Sequence, residues 1–285
     1  MSEKKQDRHV WEIGKAKVII SDGKVISISE PLVKYCPIHE AWIGRKDHSV
    51  ESILKHSQWK IRDFGLCTKK RLIYTKVKGI GYGCSESFMS AMQHGLVDAV
   101  VIACDGAGTV ISATPEVIQG IGGPMNALIE TTPIPELITR LQELGAIVLD
   151  PLSAKMDVLE GVKLAINLGY QKIGAIVVSS EAPIIEELRA LEKAKGVQII
   201  IFVVHTTGIP PDYINLIEKA DMAHACASKI MREYFMSKAR KVFGSTIPVF
   251  ALSEIGEQIL NIREQECLSD RPMIVVGNRR PPDLI

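Results

Sequence analysis

Short apolar runs alternate with amphipathic segments along most of the chain, beginning near residue 72. The runs have the length of β-strands that are buried on both faces of a sheet. Their starts recur in the later part at roughly 25-residue intervals, the length of one strand, one helix and two loops. The predicted strands are residues 99–103, 146–149, 173–178, 197–204, 222–225, 247–252 and 273–276.

The segments between these runs have the apolar spacing of helices. In residues 135–145, Leu137, Leu141 and Leu144 share one face and Gly145 ends the segment. Strands alternating with helices predict an α/β fold with a mostly parallel, doubly wound (Rossmann-like) sheet. A (β/α)8 barrel is the alternative, although about 190 residues after position 97 are few for that fold.

The first 70 residues have a different pattern. Two β-rich runs in residues 16–29 flank Asp22 and Gly23, a pair that readily adopts the positive φ angles of a hairpin turn. Apolar residues at helical spacing then predict a helix with Ser49 as its N-cap and Gly65 as its stop. We therefore expect an N-terminal α+β cap with a β-hairpin over residues 1–70 and a Rossmann-like domain over 71–285.

Composition narrows the functional classes. The chain has 285 residues and a formal net charge of +1, without the basic excess of a typical nucleic-acid binder. Its longest uninterrupted apolar stretch, residues 199–204, is too short to span a bilayer. These features predict a soluble cytoplasmic protein that binds neither nucleic acid nor membrane. Its six cysteines include no C-x-x-C pair and are expected to be thiols or metal ligands rather than disulfides.

The loops after the predicted strands carry the candidate chemistry, because parallel sheets bind ligands at the carboxyl ends of their strands. After residue 103 come Cys104, Asp105, Gly106 and Gly108, and after residue 204 comes His205. Single serines and threonines in these loops are best explained as helix caps. Asp105 and His205 are the candidate acid and base partners of a catalytic thiol, and Gly106 and Gly108 are candidate ligand-binding glycines.

A second candidate is the glycine-rich stretch of residues 78–95. Gly79, Gly81 and Gly83 precede a predicted helix that starts at Cys84 and Ser85, and free backbone amides there would hold an anion. The helix N-terminus would also lower the pKa of the Cys84 thiol and favour a nucleophile or a ligand. The spacing is not the G-x-G-x-x-G fingerprint of dinucleotide-binding folds, so no particular cofactor follows from it.

The stretch KYCPIHE, residues 34–40, sets Cys36 three positions before His39. Thiol and imidazole are suitable ligands for zinc, but no second close pair follows in the sequence. Cys84 and Cys104 would have to complete the site from distant loops, and a cysteine-rich set would equally suit an iron–sulfur cluster. The alternative is a buried Cys36 beside the Pro37 turn, with His39 hydrogen-bonded locally.

Several long segments resemble the methanogenesis marker protein 8 family over nearly the whole chain. They are EPLVKYCPIHEAWIG, GYGCSES, CDGAGTVI, GGPMNALIETTPIP and DPLSAKMDVLEG. The resemblance implies an anaerobic methanogenic archaeon and a role accompanying methyl-coenzyme M reductase, its cofactors or its assembly, with a protein partner in that maturation. An anaerobic setting would also favour oxygen-sensitive thiols or an iron–sulfur cluster.

Three functional hypotheses follow. The first is a metal- or iron–sulfur-dependent enzyme or maturation factor with a site between cap and sheet. The second is a metal-free enzyme that binds a small anionic ligand at the glycine loop and uses Cys84 as nucleophile. The third is a non-catalytic protein that binds a cofactor or assists assembly. They differ in whether residues of distant loops converge on one site.

Overall fold

A computed structural model describes residues 7–270 and 280–285 of the chain, so the predicted strand at 273–276 lies outside the described residues. The strands are β1 (His9–Ile13), β2 (Ala16–Ser21), β3 (Lys24–Ile28), β4 (Ala99–Cys104), β5 (Gly108–Ser112), β6 (Ala127–Glu130), β7 (Ile147–Val148), β8 (Lys172–Val178), β9 (Gln198–Val204), β10 (Met222–His224), β11 (Lys241–Phe243) and β12 (Val249–Ala251).

The helices connect and cover these strands. They are α1 (Pro37–Ile43), α2 (Val50–Phe64), α3 (Cys84–Gln93), α4 (Pro115–Gly122), α5 (Pro135–Glu143), α6 (Val158–Asn167), α7 (Ile184–Lys195), α8 (Ile214–Ile217), α9 (Lys229–Phe235) and α10 (Glu254–Asp270). In the described residues no helix is long and apolar enough to cross a membrane.

The larger sheet has eight strands in the order β11-β12-β10-β9-β8-β4-β5-β7. Only β4, β8, β9 and β10, at its centre, pair in parallel. The flanking strands β5, β7, β11 and β12 pair antiparallel to their neighbours. The α/β class is therefore confirmed, whereas the mostly parallel, Rossmann-like sheet is wrong. The sheet is also open in the described residues, unlike the barrel considered as the alternative.

The difference arises at residues 104–108, which the sequence analysis placed in a loop leading to a helix. They form a tight turn instead, and β4 and β5 pair antiparallel on either side of it, with Cys104 opposite Gly108. Gly106 and Gly108 have φ angles of 79° and 72°, which glycine adopts without strain. A Cβ at Gly108 would lie only 2.2 Å from the Ala154 carbonyl oxygen, so both the turn and the packing require glycine there.

Helices cover both faces of this sheet. Alternate residues of each central strand enter two separate cores, as with Val100 on one face and Val101 on the other. The first core receives Phe88 of α3 and Leu137 of α5, and the second receives Val162 of α6. Because the central strands are apolar on both faces, they read as continuous hydrophobic runs.

The N-terminal residues form a smaller antiparallel sheet in the order β3-β2-β1-β6. Asp22 and Gly23 turn the β2–β3 hairpin with φ angles of 50° and 67°. Helix α2 begins after Ser49, whose side chain accepts a hydrogen bond from the Ser52 amide, and ends at the left-handed Gly65. The fourth strand, β6, comes from beyond residue 70, so the larger part of the chain contributes to the cap sheet.

A fully buried ion pair joins these parts. Arg71, in the segment after α2, donates from Nε to Oδ1 of Asp105 over 2.8 Å, and both side chains are 0% exposed. Three of the four remaining guanidinium protons are donated to the carbonyl oxygens of Leu72, Gly120 and Ile121. The cap, the β4–β5 turn and the end of α4 are therefore connected through one guanidinium group.

We expect Asp105→Asn to lower the free energy of unfolding by about 3–5 kcal/mol, because it leaves the Arg71 charge buried without its counterion. Chemical denaturation of the purified protein measures this change. The matched control is Asp63→Asn, which breaks a surface pair with Arg62 and should change stability far less. Equal effects of the two substitutions would contradict a structural role for the buried pair.

Candidate functional site

The cap contacts the turn after β4, where the Cys67 amide donates to Asp105. Lys60 of α2 donates from Nζ to Oδ1 of Asn126 over 2.7 Å, which joins the cap helix to the loop before β6. The charge of Lys60 also lowers the pKa of Cys36 in the cap and of His205 directly after β9. The Cys36 and Cys226 thiols influence each other electrostatically, and Cys226 follows β10. These four side chains therefore share one neighbourhood, with one amine, one imidazole and two thiols.

His205 and Cys226 have strained backbone conformations. Their φ angles are 57° and 45°, in the left-handed region that non-glycine residues rarely occupy. Each follows one of two neighbouring parallel strands, β9 and β10. Such strain costs on the order of 1 kcal/mol per residue and clusters at functional sites.

Hydroxyl groups connect the strand ends. Ser179, after β8, donates to the His205 carbonyl oxygen over 2.8 Å, and Thr206 donates to that of His224 over 2.7 Å. These hydroxyls therefore bond to the neighbouring strand end instead of capping the next helix as expected. The bonds hold the backbone on which His205 and Cys226 are placed.

Lys60 is the most unusual residue of this neighbourhood. It is 5% exposed, and no carboxylate of the described residues pairs with it. Burial, together with the charge of the nearby Arg71, lowers the pKa of Lys60 from its ordinary 10.5 to about 7, while Cys36 and Asp105 oppose the shift. The indole ring of Trp42 lies beside the amine, with its centroid 5.5 Å from Nζ.

The two thiols of the neighbourhood are protonated. Burial raises the pKa of Cys36, although backbone hydrogen bonds near the start of α1 and the charge of Lys60 oppose it. Burial likewise raises the pKa of Cys226, against hydrogen bonds from Thr206. Burial lowers the pKa of His205 to about 3, so the imidazole is neutral at pH 7. Cys36, His205 and Cys226 remain partly exposed, so this side of the neighbourhood meets solvent.

The glycine loop at 79–83 holds an anion that belongs to the chain itself. The amides of Gly79 and Ile80 donate to Oε1 of Glu86, over 3.0 and 3.2 Å. The hydroxyl of Ser85 and the amide group of Gln119 donate to the same carboxylate. Glu86 is 2% exposed, so the donors predicted to bind an external ligand are occupied from within.

Cys84 lies at the first position of α3, but its pKa shifts in the direction opposite to the expected one. Burial raises the pKa of the Cys84 thiol well above its ordinary value, and the Glu86 carboxylate raises it further. These effects outweigh the helix N-terminus. Gly81 and Gly83 also have internal partners: the Gly81 carbonyl accepts from Arg263, and a Cβ on Gly83 would collide with Glu86.

The other predicted site residues lie in the structural surroundings of Lys60. Asp105 accepts from Arg71 and from the Cys67 amide, and Cys104 is fully buried with its thiol near the Asp105 carbonyl oxygen. These bonds hold Asp105 as a counterion. Gly106 lies in the same turn, where its amide donates to Thr131.

His39 belongs to a cluster of buried imidazoles. Its Nδ1 lies 2.8 Å from Nδ1 of His56, its Nε2 is hydrogen-bonded to Ser52, and its ring packs against His48. Burial lowers the pKa of His39 to about 3. No three His, Cys, Asp or Glu side chains in residues 7–270 and 280–285 are grouped to hold a metal ion. The predicted ligand set of Cys36, His39, Cys84 and Cys104 therefore does not assemble there.

The sequence analysis missed Lys60, which reads as a solvent-facing lysine in an amphipathic helix. A signal was present in the four-residue spacing of Ser52, His56 and Lys60, which places three polar side chains on the buried face of α2. Glu86 and Arg71 were also missed. Their roles depend on contacts with loops that are distant in sequence.

The last described residues pack beside the same neighbourhood. The Arg280 guanidinium lies 3.9 Å from the centroid of the Tyr35 ring, directly before Cys36. The Ile285 amide donates to the Ala227 carbonyl oxygen, and the Lys229 amide donates to that of Ile285. The C-terminal segment is therefore attached next to both thiols.

Comparison with known proteins identifies relatives among archaea. A family described as "Uncharacterized protein conserved in archaea (DUF2099)" matches residues 9–265. The uncharacterized protein MJ0054 of Methanocaldococcus jannaschii is 37% identical over 284 residues, covering 98% of this chain and 100% of the relative. Among solved structures, a chain of the F420-reducing NiFe hydrogenase complex from Methanosarcina barkeri is 10% identical over 69% of this chain and 75% of its own length.

The structural similarity has a TM-score of 0.33 and carries no argument about this chain. The family match and the 37% identical relative both extend over nearly the whole sequence. The protein is therefore a member of the DUF2099 family of uncharacterized proteins conserved in archaea.

Proposed function

We propose that this protein is a metal-free enzyme that acts on a small molecule, with the amine of Lys60 as its reactive group. The observation that carries the proposal is a lysine 5% exposed whose amine has Asn126 as its hydrogen-bond partner and no counterion in the described residues. Burying an unpaired ammonium is costly, so a fold that keeps one there favours the neutral amine.

A neutral amine near pH 7 is both a nucleophile and a base. Lysines of lowered pKa serve in this way when burial or a neighbouring cation disfavours their charge. Arg71 is such a cation for Lys60. The thiols of Cys36 and Cys226 in the same neighbourhood are protonated at pH 7, because burial raises the pKa of each, and they are therefore weak proton donors.

This proposal replaces the earlier roles of Cys84 and Asp105. The Cys84 thiol is protonated and lies beside the Glu86 carboxylate, which disfavours a thiolate nucleophile. Asp105 is occupied by Arg71. Of the sequence-based candidates, His205 and Cys36 keep a place near the reactive amine.

The remaining hypotheses have less support. A metal or iron–sulfur site lacks a group of three ligands among the described residues. A non-catalytic binding protein would use the same neighbourhood, and measured amine reactivity distinguishes it from an enzyme. A place in methanogenesis rests on the resemblance to the methanogenesis marker protein 8 family. The six free cysteines agree with a reducing compartment such as the cytoplasm.

We expect Lys60 to react with trace acetic anhydride along a pH profile centred near 7, because burial and Arg71 lower its pKa to about that value. Peptide mass spectrometry over a pH series gives the midpoint for each lysine. Lys55, exposed on the same helix and paired with Glu51, is the internal control. A Lys60 profile that follows Lys55 would rule out the proposed reactive amine.

We expect the stability of Lys60→Met relative to the wild type to depend on pH. The pKa of Lys60 is about 7 when folded and 10.5 when unfolded, so between these values the unfolded chain binds the additional proton. The wild type therefore gains stability as the pH rises through this window, and the variant lacks this gain. As the pH rises, the free energy of unfolding of Lys60→Met should therefore fall relative to that of the wild type. The change should amount to a few kcal/mol, given roughly 1.4 kcal/mol per pKa unit.

Urea denaturation at pH values from 6 to 9.5 measures this difference. Methionine leaves Oδ1 of Asn126 without its donor, but that loss is independent of pH and does not alter the slope. Lys55→Met is the matched control on the same helix. A constant difference between wild type and Lys60→Met would show that Lys60 is charged throughout this range in the folded protein.

A further inference from the structure

Two hydrogen-bond donors beside Lys60 are buried and have no partner in the described residues. They are Nδ2 of Asn126 and Nε1 of Trp42. Asn126 uses its Oδ1 to accept from Lys60, and the Trp42 ring lies beside the same amine. Each unpaired buried donor costs about 1–3 kcal/mol, and native structures seldom retain them without a reason.

The other charges of this region are already compensated. Asp105 is paired with Arg71, and Glu86 accepts from two backbone amides and two side chains. Lys60 is the buried lysine of this region, and it has no carboxylate partner among the described residues. A ligand with one negative charge would therefore provide a counterion for the Lys60 amine. It would also accept the hydrogen bonds of the two unpaired donors.

The unpaired donor of Asn126 lies close to the amine, which favours a ligand whose negative charge is near its reacting carbon. Nδ2 and Oδ1 of one amide group are about 2.3 Å apart, so Nδ2 of Asn126 lies within roughly 5 Å of the Lys60 amine. A carboxylate bonded directly to the carbon that the amine reaches lies within reach of this donor.

We infer that the site takes a small 2-oxo acid, an inference that rests on the proposed reactive amine. Its carboxylate accepts hydrogen bonds from Nδ2 of Asn126 and Nε1 of Trp42, and its carbonyl carbon meets Nζ of Lys60. An anionic ligand also favours the protonated amine during binding, and the amine loses that proton to solvent before it attacks.

The chemistry that follows is imine formation. The neutral amine attacks the carbonyl carbon, an N–C bond forms and the carbonyl π bond breaks. Both amine protons then leave with the former carbonyl oxygen as water, and a C=N bond remains. The step needs no oxidant, reductant or metal. The Cys36 thiol in this neighbourhood can pass a proton to the departing oxygen and regain one from the amine nitrogen, so the overall proton balance is unchanged.

Reductive trapping tests the inference. The full-length protein is incubated at pH 7 with sodium cyanoborohydride and either pyruvate or pyruvamide, which replaces the carboxylate by a neutral amide of similar shape. Mass spectrometry locates and quantifies the modified lysine. We expect pyruvate to modify Lys60 at least tenfold faster than pyruvamide, with Lys60→Met as the variant in which this modification is absent.

The variant Trp42→Phe tests the carboxylate contact. It keeps an aromatic ring beside the amine and removes the unpaired N–H, so the advantage of pyruvate should fall by roughly tenfold while the pyruvamide rate stays the same. The matched control is Trp59→Phe, because Trp59 packs edge-on against Trp42 in the same aromatic cluster and its N–H has no assigned role in the site. Thermal unfolding of each variant verifies that it is folded.

The outcomes separate the two levels of the hypothesis. Equal trapping of pyruvate and pyruvamide at Lys60 would overturn the 2-oxo acid and leave the reactive amine in place. Modification confined to exposed lysines such as Lys55 would overturn both. A pyruvate preference that Trp42→Phe leaves unchanged would overturn the assigned carboxylate contact.

Discussion

The ion pair between Arg71 and Asp105 is the interaction on which the rest of this structure depends. Two fully buried charges are tolerated only when their hydrogen-bonding capacity is satisfied, and here the backbone supplies the remaining partners. Those partners come from the segment after α2, the β4–β5 turn and the end of α4. The pair therefore fixes the position of the cap on the sheet, and this position brings Lys60 over the strand ends.

The same pair shapes the electrostatics of the candidate site. Arg71 disfavours the charge of Lys60, while Asp105 and Cys36 favour it, and burial dominates all three. Glu86 offers a contrast, because the glycine loop surrounds its carboxylate with donors. Asp105 is thus compensated by a salt bridge and Glu86 by hydrogen-bond donors. Lys60 has no counterion among the described residues. A buried group without a counterion lowers the stability of the folded protein unless a ligand supplies the opposite charge. Such groups are typical of functional sites.

Much of the secondary structure could be predicted from local pattern. The hairpin at Asp22 and Gly23 and the ends of α2 at Ser49 and Gly65 follow from residue preferences that act over a few positions. The direction of strand pairing could not be predicted in this way, because a buried strand is apolar whether its neighbour is parallel or antiparallel. Strand β5 was not predicted, because its first residue, Gly108, and the preceding Gly106 are typical of a loop.

The candidate site was predicted only in part, for a related reason. His205 and Cys36 were found because reactive residue types at strand ends and turns are conspicuous in sequence. Lys60 was not, because lysine in a helix is nearly always exposed, and its burial depends on where the whole cap packs. The glycine loop was recognised as an anion site, but its anion, Glu86, lies in the helix that follows it.

The two halves of the site differ in how firmly they are held. His205 and Cys226 lie at strained positions after neighbouring strands, where hydroxyls of Ser179 and Thr206 bond across the strand ends. Lys60 instead reaches the site from a cap helix, through one hydrogen bond to Asn126. Because strained residues persist only where the surrounding bonds over-determine them, the sheet side is the fixed part. A ligand bound to the amine and to Asn126 would therefore hold the cap against a preformed surface, which couples occupancy of the site to the packing of the cap.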